Sequence, residues 1–237
     1  MGFSKGNNIG FKFAVENLNP DFIVLSNTDI NLLNANMLEI IESIYKEKKF
    51  AVLGPNIVKP IDEDSYVHQN PYFFNKKITK IFVIREIIRI NMNEIKNHFK
   101  FLIKNNILKG RDYFKPRRLD KPIKNNNFNN LYISTDVTLS GAFMVFSKDY
   151  FQKFPDGLDP KTFMYGEEHF LSYRCQKNNL LILYSSKFSV EHFEGKSTLS
   201  EKTEIQRSKF LRIEATKSLI KLFYEIKNDD LKNKKWM

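Results

Sequence analysis

The sequence predicts an α/β fold in which a mixed, mostly parallel sheet is flanked by helices. Three observations carry that expectation. Phe22-Ile23-Val24-Leu25 is an unbroken apolar run with two β-branched residues, the pattern of a strand buried on both faces in the middle of a parallel sheet. A helical pattern and a second short apolar run, Ala51-Val52-Leu53, follow within 35 residues, which makes a βαβ unit with an expected right-handed crossover. Two further strand-like stretches, Val137–Phe146 and Leu180–Tyr184, bracket a helix opening at Glu167. With 237 residues, 42% hydrophobic and 14% aromatic, the chain can bury one substantial core, so residues 1–237 read as a single domain.

Taken in order, the chain opens on a Gly- and Asn-rich loop that leads into a short helix from about Gly10 to Asn17, ended by Pro20. The apolar run from Phe22 then delivers Asn27, Thr28 and Asp29 to the strand's carboxyl end, the edge where open α/β sheets bind ligands. Asp29 there reads either as part of a metal or phosphate site or as a cap on the turn into the next helix. Asn34 caps a helix from about Ala35 to Lys48, along which Met37, Leu38, Ile41, Ile44 and Tyr45 recur at helical spacing. Gly54-Pro55 closes the second strand.

Residues 61–135 form an insertion of helix and loop. Within 76–106, Ile78, Ile81, Phe82, Ile84, Ile87, Ile88, Ile95, Phe99, Leu102 and Ile103 alternate with lysines and asparagines, fitting one or two amphipathic helices. Such a basic helix can lie on an anionic membrane face or simply pack on the domain with a solvated basic side. Arg111–Asn130 reads as a loop or lid. After Asp136 come the strand Val137–Phe146, with Ser140-Gly141-Ala142 as a small-residue step that lets a ligand approach the backbone, and a short helix over Lys148–Phe154. A turn at Gly157–Pro160 precedes a helix from Glu167 to Gln176, whose positive amino-terminal end suits Glu167 and Glu168. Strands at Leu180–Tyr184 and Phe188–His192, a long amphipathic helix from Thr203 to Ile226 and a Lys- and Asn-rich tail complete the chain, so that 203–237 is a terminal helix and basic tail.

Lys plus Arg number 38 against 27 acids, a net charge of +11 that favours anionic partners: nucleotides, lipid headgroups or nucleic acid. The excess is mostly Lys beside Asn rather than Arg interleaved with aromatics, which argues against nucleic acid. The single cysteine, Cys175, excludes an intramolecular disulfide and reads as a small buried side chain in a reducing compartment. No apolar run reaches 18 residues and no signal-peptide pattern opens the chain, so a cytoplasmic protein, at most lying on the inner face of a membrane, is expected.

Asp29, the pair Glu167 and Glu168, and His192 fall at the ends of separate apolar elements. Each singly has a plain structural explanation, but their order is informative. Together with Gly2–Gly10, Asn27-Thr28-Asp29-Ile30, Gly54-Pro55, Leu139–Phe143, the run Phe163–Arg174, and His192 followed by Gly195-Lys196-Ser197, that order resembles the family-two glycosyltransferases, inverting enzymes of the GT-A fold that build bacterial polysaccharides. The resemblance covers residues 2–59 and 136–200.

What the resemblance implies is specific. Asp29 matches the last acid of the family's DXD-like motif, which holds a divalent cation on a nucleotide diphosphate, with Asn27 in place of the first acid. His192 matches a late histidine that supplies a second metal ligand, and Mg²⁺ or Mn²⁺ suits such a site. Glu168 aligns with the general base and Glu167 with its partner, leaving open which of the two acts. Ser140, Gly141 and Ala142 would lie along donor sugar and acceptor, and Arg174 would orient the acidic pair or form a helix ion pair. The implied partners are a nucleotide-diphosphate sugar and a saccharide or lipid-linked acceptor of cell-surface polysaccharide synthesis. The family's opening strands, which grip the nucleotide, have no counterpart in the 237 residues, so a truncated catalytic domain is expected and its activity alone is in doubt. The competing reading is a non-catalytic basic module that binds membrane or nucleic acid.

Overall fold

The computed structural model describes residues 2–62, 65–74, 77–92, 133–135, 137–193 and 204–234. In chain order these form α1 (Phe3–Leu18), β1 (Phe22–Ser26), β2 (Ile30–Leu32), α2 (Met37–Glu47), β3 (Val52–Asp62), β4 (Ser65–His68), β5 (Phe73–Phe74), α3 (80–92), β6 (Ile133–Thr135), β7 (Val137–Thr138), β8 (Phe143–Ser147), α4 (Lys148–Phe151), α5 (Glu167–Lys177), β9 (Ile182–His192) and α6 (Glu204–Lys234). The fold is α/β: a mixed seven-stranded sheet has the path β1-β8-β3-β9-β2, with β4 added to β3 and β6 to β9, while β5 and β7 form a separate ribbon.

The sheet's two faces follow from the period of two along each strand. Val52 of β3, Met144 and Phe146 of β8, and Ile182 and Tyr184 of β9 turn to one side, where Phe11 of α1, Tyr150 of α4, and Leu171 and Cys175 of α5 cover them. Their neighbours Leu53, Phe143, Val145 and Leu183 turn to the other side and meet Met37, Ile41 and Ile44 of α2. A third cluster joins Ile78 and Val83 beside and on α3 to Phe170 and Tyr173 of α5 and Leu219, Leu222 and Ile226 of α6. Burial pushes the Cys175 thiol up to about 12, so this side chain is a packing residue, as its sequence context suggested.

Two expectations need correction. The sheet is mixed, but it is not mostly parallel: only β3 with β9 pairs parallel, whereas β1·β8, β3·β8, β3·β4, β2·β9 and β6·β9 are antiparallel. β1 lies at the end of the sheet path, paired to β8 alone, and of its residues only Leu25 is buried while Val24 is 40% exposed. Burial on both faces does not fix strand direction. β8, buried at all five positions, is antiparallel to both its neighbours. Because β8 lies between them, β1 and β3 still run the same way, and the β1-α2-β3 crossover skips one strand rather than joining neighbours.

Element limits differ where tertiary contacts override local signals. α1 begins at Phe3, not near Gly10, since Phe3 N–H donates to Phe163 O (2.8 Å), Ser4 Oγ meets Thr162 Oγ1 (3.3 Å) and the Asn8 amide brackets Leu158. The stretch read as one strand over Val137–Phe146 divides into β7 and β8 around a turn at Gly141-Ala142, and the stretches read as two strands over 180–192 fuse into β9. α6 is longer than expected at its carboxyl end. The loop expected over Arg111–Asn130, the distal part of the 76–106 helix and Gly195-Lys196-Ser197 lie outside the described residues.

Candidate functional site

After β1 the chain does not turn back beside its own strand. Asn27, Thr28 and Asp29 cross over the end of the sheet, and Ile30 joins the far side as the partner of His192 on β9. Two backbone hydrogen bonds fix the crossing: Asn27 N–H donates to Ala142 O (2.9 Å) and Phe193 N–H to Asp29 O (2.9 Å). The Asp29 carboxylate therefore stands 3.4 Å from His192 Nε2, with both side chains largely buried. Asn27 Nδ2 lies 3.5 Å from the same ring nitrogen.

The His192 ring is oriented from behind. Its Nδ1 is 2.7 Å from Gln69 Oε1, and since an amide oxygen only accepts, Nδ1 carries the proton. Nε2 is then the nitrogen turned toward Asp29, with Asn27 Nδ2 placed to donate to it. A hydrogen bond from the distal ring nitrogen to an amide oxygen is also how metal-bound histidines are oriented. Among the described residues no group of three His, Cys, Asp or Glu side chains gathers to hold a metal, so Asp29 and His192 stand here as a pair.

The acidic pair sits next along the same edge. Gly166 opens α5 in the left-handed region (φ 99°), and Glu167 and Glu168 follow in the first turn, where the helix dipole and free N–H groups favour negative charge. Glu168 Oε1 accepts from Gly141 N–H (3.2 Å), placing this carboxylate on the backbone step that leads through Ala142 to Asn27. Glu167 is 6% exposed and its Oε1 is buried with no hydrogen-bond partner among the described residues. Burial, then the neighbouring Glu168 charge, pushes its carboxyl up to about 8. Burial also raises Glu168, opposed by backbone N–H groups that bond its ionised form, Gly141 among them. Both carboxyls are thus held above the usual carboxylate range, and Glu168 is the one that accepts from Gly141 N–H.

Gly141 is required for this contact. A Cβ at that position would stand 3.0 Å from Glu168 Oε1, too close for a carboxylate bound to the adjacent N–H. Gly141→Ala is expected to keep the fold while displacing Glu168 Oε1 by a few tenths of an ångström and weakening its hydrogen bond from the residue-141 N–H; unchanged hydrogen-exchange protection of that N–H with unchanged thermal stability would contradict it.

Sequence reasoning missed the segment that joins the two poles of the site. Gln69 holds His192, and buried Asn70 donates to Pro55 O (2.7 Å) and accepts from Ser140 N–H (3.0 Å). Tyr72, 47% exposed, donates its N–H to Thr138 O and sets its ring edge-on to His169, the residue after Glu168. The Tyr72 hydroxyl also bonds Arg89, which Glu86 holds at 2.6 and 2.8 Å. Burial, with Arg89 near, pushes the His169 imidazole down to about 4, so it is neutral. The Asn-Pro dipeptide marks a turn in the sequence, but nothing there says that the turn spans a ligand site.

Arg174 does not join the cluster. Its guanidinium donates to Gly157 O (2.7 Å) and Tyr150 Oη (3.2 Å) and pairs with Asp159 (3.2 Å), tying the 157–159 turn to α5 instead of orienting the acidic pair. Cavities of about 510 Å³ at Lys49, Asp149 and Leu180 and about 370 Å³ between α3, α5 and α6 also lie away from Asp29, Glu168 and His192. No protein-family model matches the chain, and a search of curated proteins finds no match.

Proposed function

We propose that the chain is an inverting glycosyltransferase, moving a sugar from a nucleotide-diphosphate donor to a saccharide or lipid-linked acceptor with Mg²⁺ or Mn²⁺. One observation carries this reading: Asp29 faces His192 at 3.4 Å, and a short backbone path from Asn27 through Ala142 to Gly141 leads to Glu168 at the same end of the sheet. A cation-binding pair and a carboxylate base on one edge are the two functions that displacement of a diphosphate by a hydroxyl needs.

In this reading Asp29 and His192 hold the cation, with Gln69 keeping His192 Nε2 turned toward it. The bound cation would neutralise charge on the departing diphosphate. Glu168 accepts the acceptor hydroxyl's proton as the new carbon–oxygen bond forms and the bond to the diphosphate breaks. Glu167 keeps its proton, which leaves one negative charge in the pair rather than two. Gly141, without a side chain, lets Glu168 reach the backbone N–H of this step. No described residue is assigned to the nucleoside.

The test is calorimetric titration of the chain with inorganic pyrophosphate and with UDP or dTDP, with Mn²⁺ and with EDTA. Binding that appears with Mn²⁺ and is abolished by EDTA supports the reading. Metal-independent binding, or none to any of the three, overturns it.

A further inference from the structure

The solvated side of α3 is not the basic face that its composition suggests. Ile81, Ile84, Ile88 and Met92 are 65%, 43%, 50% and 46% exposed, and their spacing of three and four residues lines them along one side of the helix. The opposite side is already used: Val83 is fully buried, and Phe82, Ile87 and Ile90 pack against the cluster shared with α5 and α6. α3 thus has two apolar faces, of which one is covered by the protein.

Charge says what fits the other. Arg85 projects from the exposed side with no acidic partner among the described residues, and Lys77 is exposed just before the helix. Glu86, the only acid of α3, is turned inward, 6% exposed and paired with Arg89. Among the described residues, the outer face therefore offers apolar side chains and cation with no anion. A second copy is a poor occupant because each chain carries +11 and the two would repel. On α1, Lys12 beside Phe13 is matched by Glu16 and Asp156, and on α6, Lys217 is matched by Glu214. No described helix is long and apolar enough to cross a membrane.

We propose that the outer face of α3 docks flat on an anionic lipid surface, with Ile81, Ile84, Ile88 and Met92 entering the acyl boundary and Arg85 meeting lipid phosphates. About three turns, some 16 Å of helix, is enough for an interfacial contact that combines modest apolar insertion with electrostatic attraction. The proposal stands apart from sugar transfer, since it uses none of Asp29, Glu168 or His192.

The experiment is vesicle flotation of the full chain at 0.1 M salt, with phosphatidylcholine vesicles and with equimolar phosphatidylcholine and phosphatidylglycerol. The chain should float with the anionic vesicles at least roughly tenfold more than with the neutral ones. Ile84→Asp with Ile88→Asp should reduce flotation roughly tenfold, and Arg85→Glu severalfold, while Phe13→Asp on α1 leaves it unchanged. All these side chains are exposed, so thermal melting should be unaltered and loss of fold cannot imitate the result. Equal flotation with both vesicles, or flotation indifferent to the stripe variants, overturns the proposal. So does a dimer in analytical ultracentrifugation that Ile88→Asp dissociates without changing flotation, which would make the stripe a self-interface.

Discussion

Glu168→Gln is expected to reduce sugar transfer by about 10²- to 10⁴-fold, the usual worth of a positioned general base. Mn²⁺-dependent pyrophosphate binding should stay within about twofold, because Glu168 meets Gly141 and not the Asp29–His192 pair. The neighbouring substitution behaves differently. Glu167 holds its proton up to about pH 8, well above its ordinary value of 4.5, and its buried Oε1 has no partner among the described residues. A folded-state pKa raised in this way contributes stability that is fully present below about pH 4.5 and is lost as pH rises through about 8, because in that window the unfolded chain has released a proton that the folded chain retains. Relative to Glu167→Gln, which lacks this titrating group, the wild type should therefore lose thermal stability from pH 5 to pH 8. If Glu167→Gln abolishes transfer while Glu168→Gln does not, the roles of the two are reversed.

The second large effect is at the other pole. Asp29→Ala and His192→Ala should each weaken Mn²⁺-dependent pyrophosphate binding by about 100-fold or more, since each removes one of the two described side chains proposed to hold the cation, while Gln69→Leu, which frees the ring without deleting it, should cost about 10- to 100-fold. Calorimetry on the three variants reads the order directly. Asn27→Ala should be milder, because the crossing is fixed by the backbone hydrogen bond from Asn27 N–H to Ala142 O, which alanine retains. Equal binding in the wild type and in Asp29→Ala would remove the cation from the account.

The sequence made the elements legible more readily than their neighbours. α5 begins at Glu167 as its acids and the glycine before them imply, and α2 shows the buried stripe Met37, Ile41 and Ile44 that its spacing foretold. β1 was misjudged because an apolar run reports strand propensity, and whether Val24 is covered depends on which strand lies beside it. The early start of α1 was hidden for a related reason. Gly6 and Gly10 argue against a helix, yet both face open space, and contacts to Phe163, Thr162 and Leu158, more than 140 residues away, hold the helix in place. At the site, motif order leads to the expectation that Asp29, Glu168 and His192 approach one edge, and says nothing of Gln69, Asn70 and Tyr72. Their role comes from where the 65–74 segment runs across the sheet end, and no local pattern encodes that path. Arg174 was misplaced because helical spacing relates it to Glu167 but cannot show that the 157–159 turn offers it Gly157 O and Asp159.

The account's central claim is that Asp29, His192 and Glu168 share one cation-centred cleft. Paramagnetic broadening of backbone amide signals by substoichiometric Mn²⁺ with pyrophosphate tests it most directly, because it locates the ion without requiring turnover. The amides of Asn27, Asp29, Ala142 and His192 should be lost first and those of Gly141 and Glu168 next, while Asp149 and Asn179 at the opposite end of the strands stay sharp. Broadening centred on any other part of the chain, or reaching Asp29 and His192 but sparing Gly141 and Glu168, would contradict it.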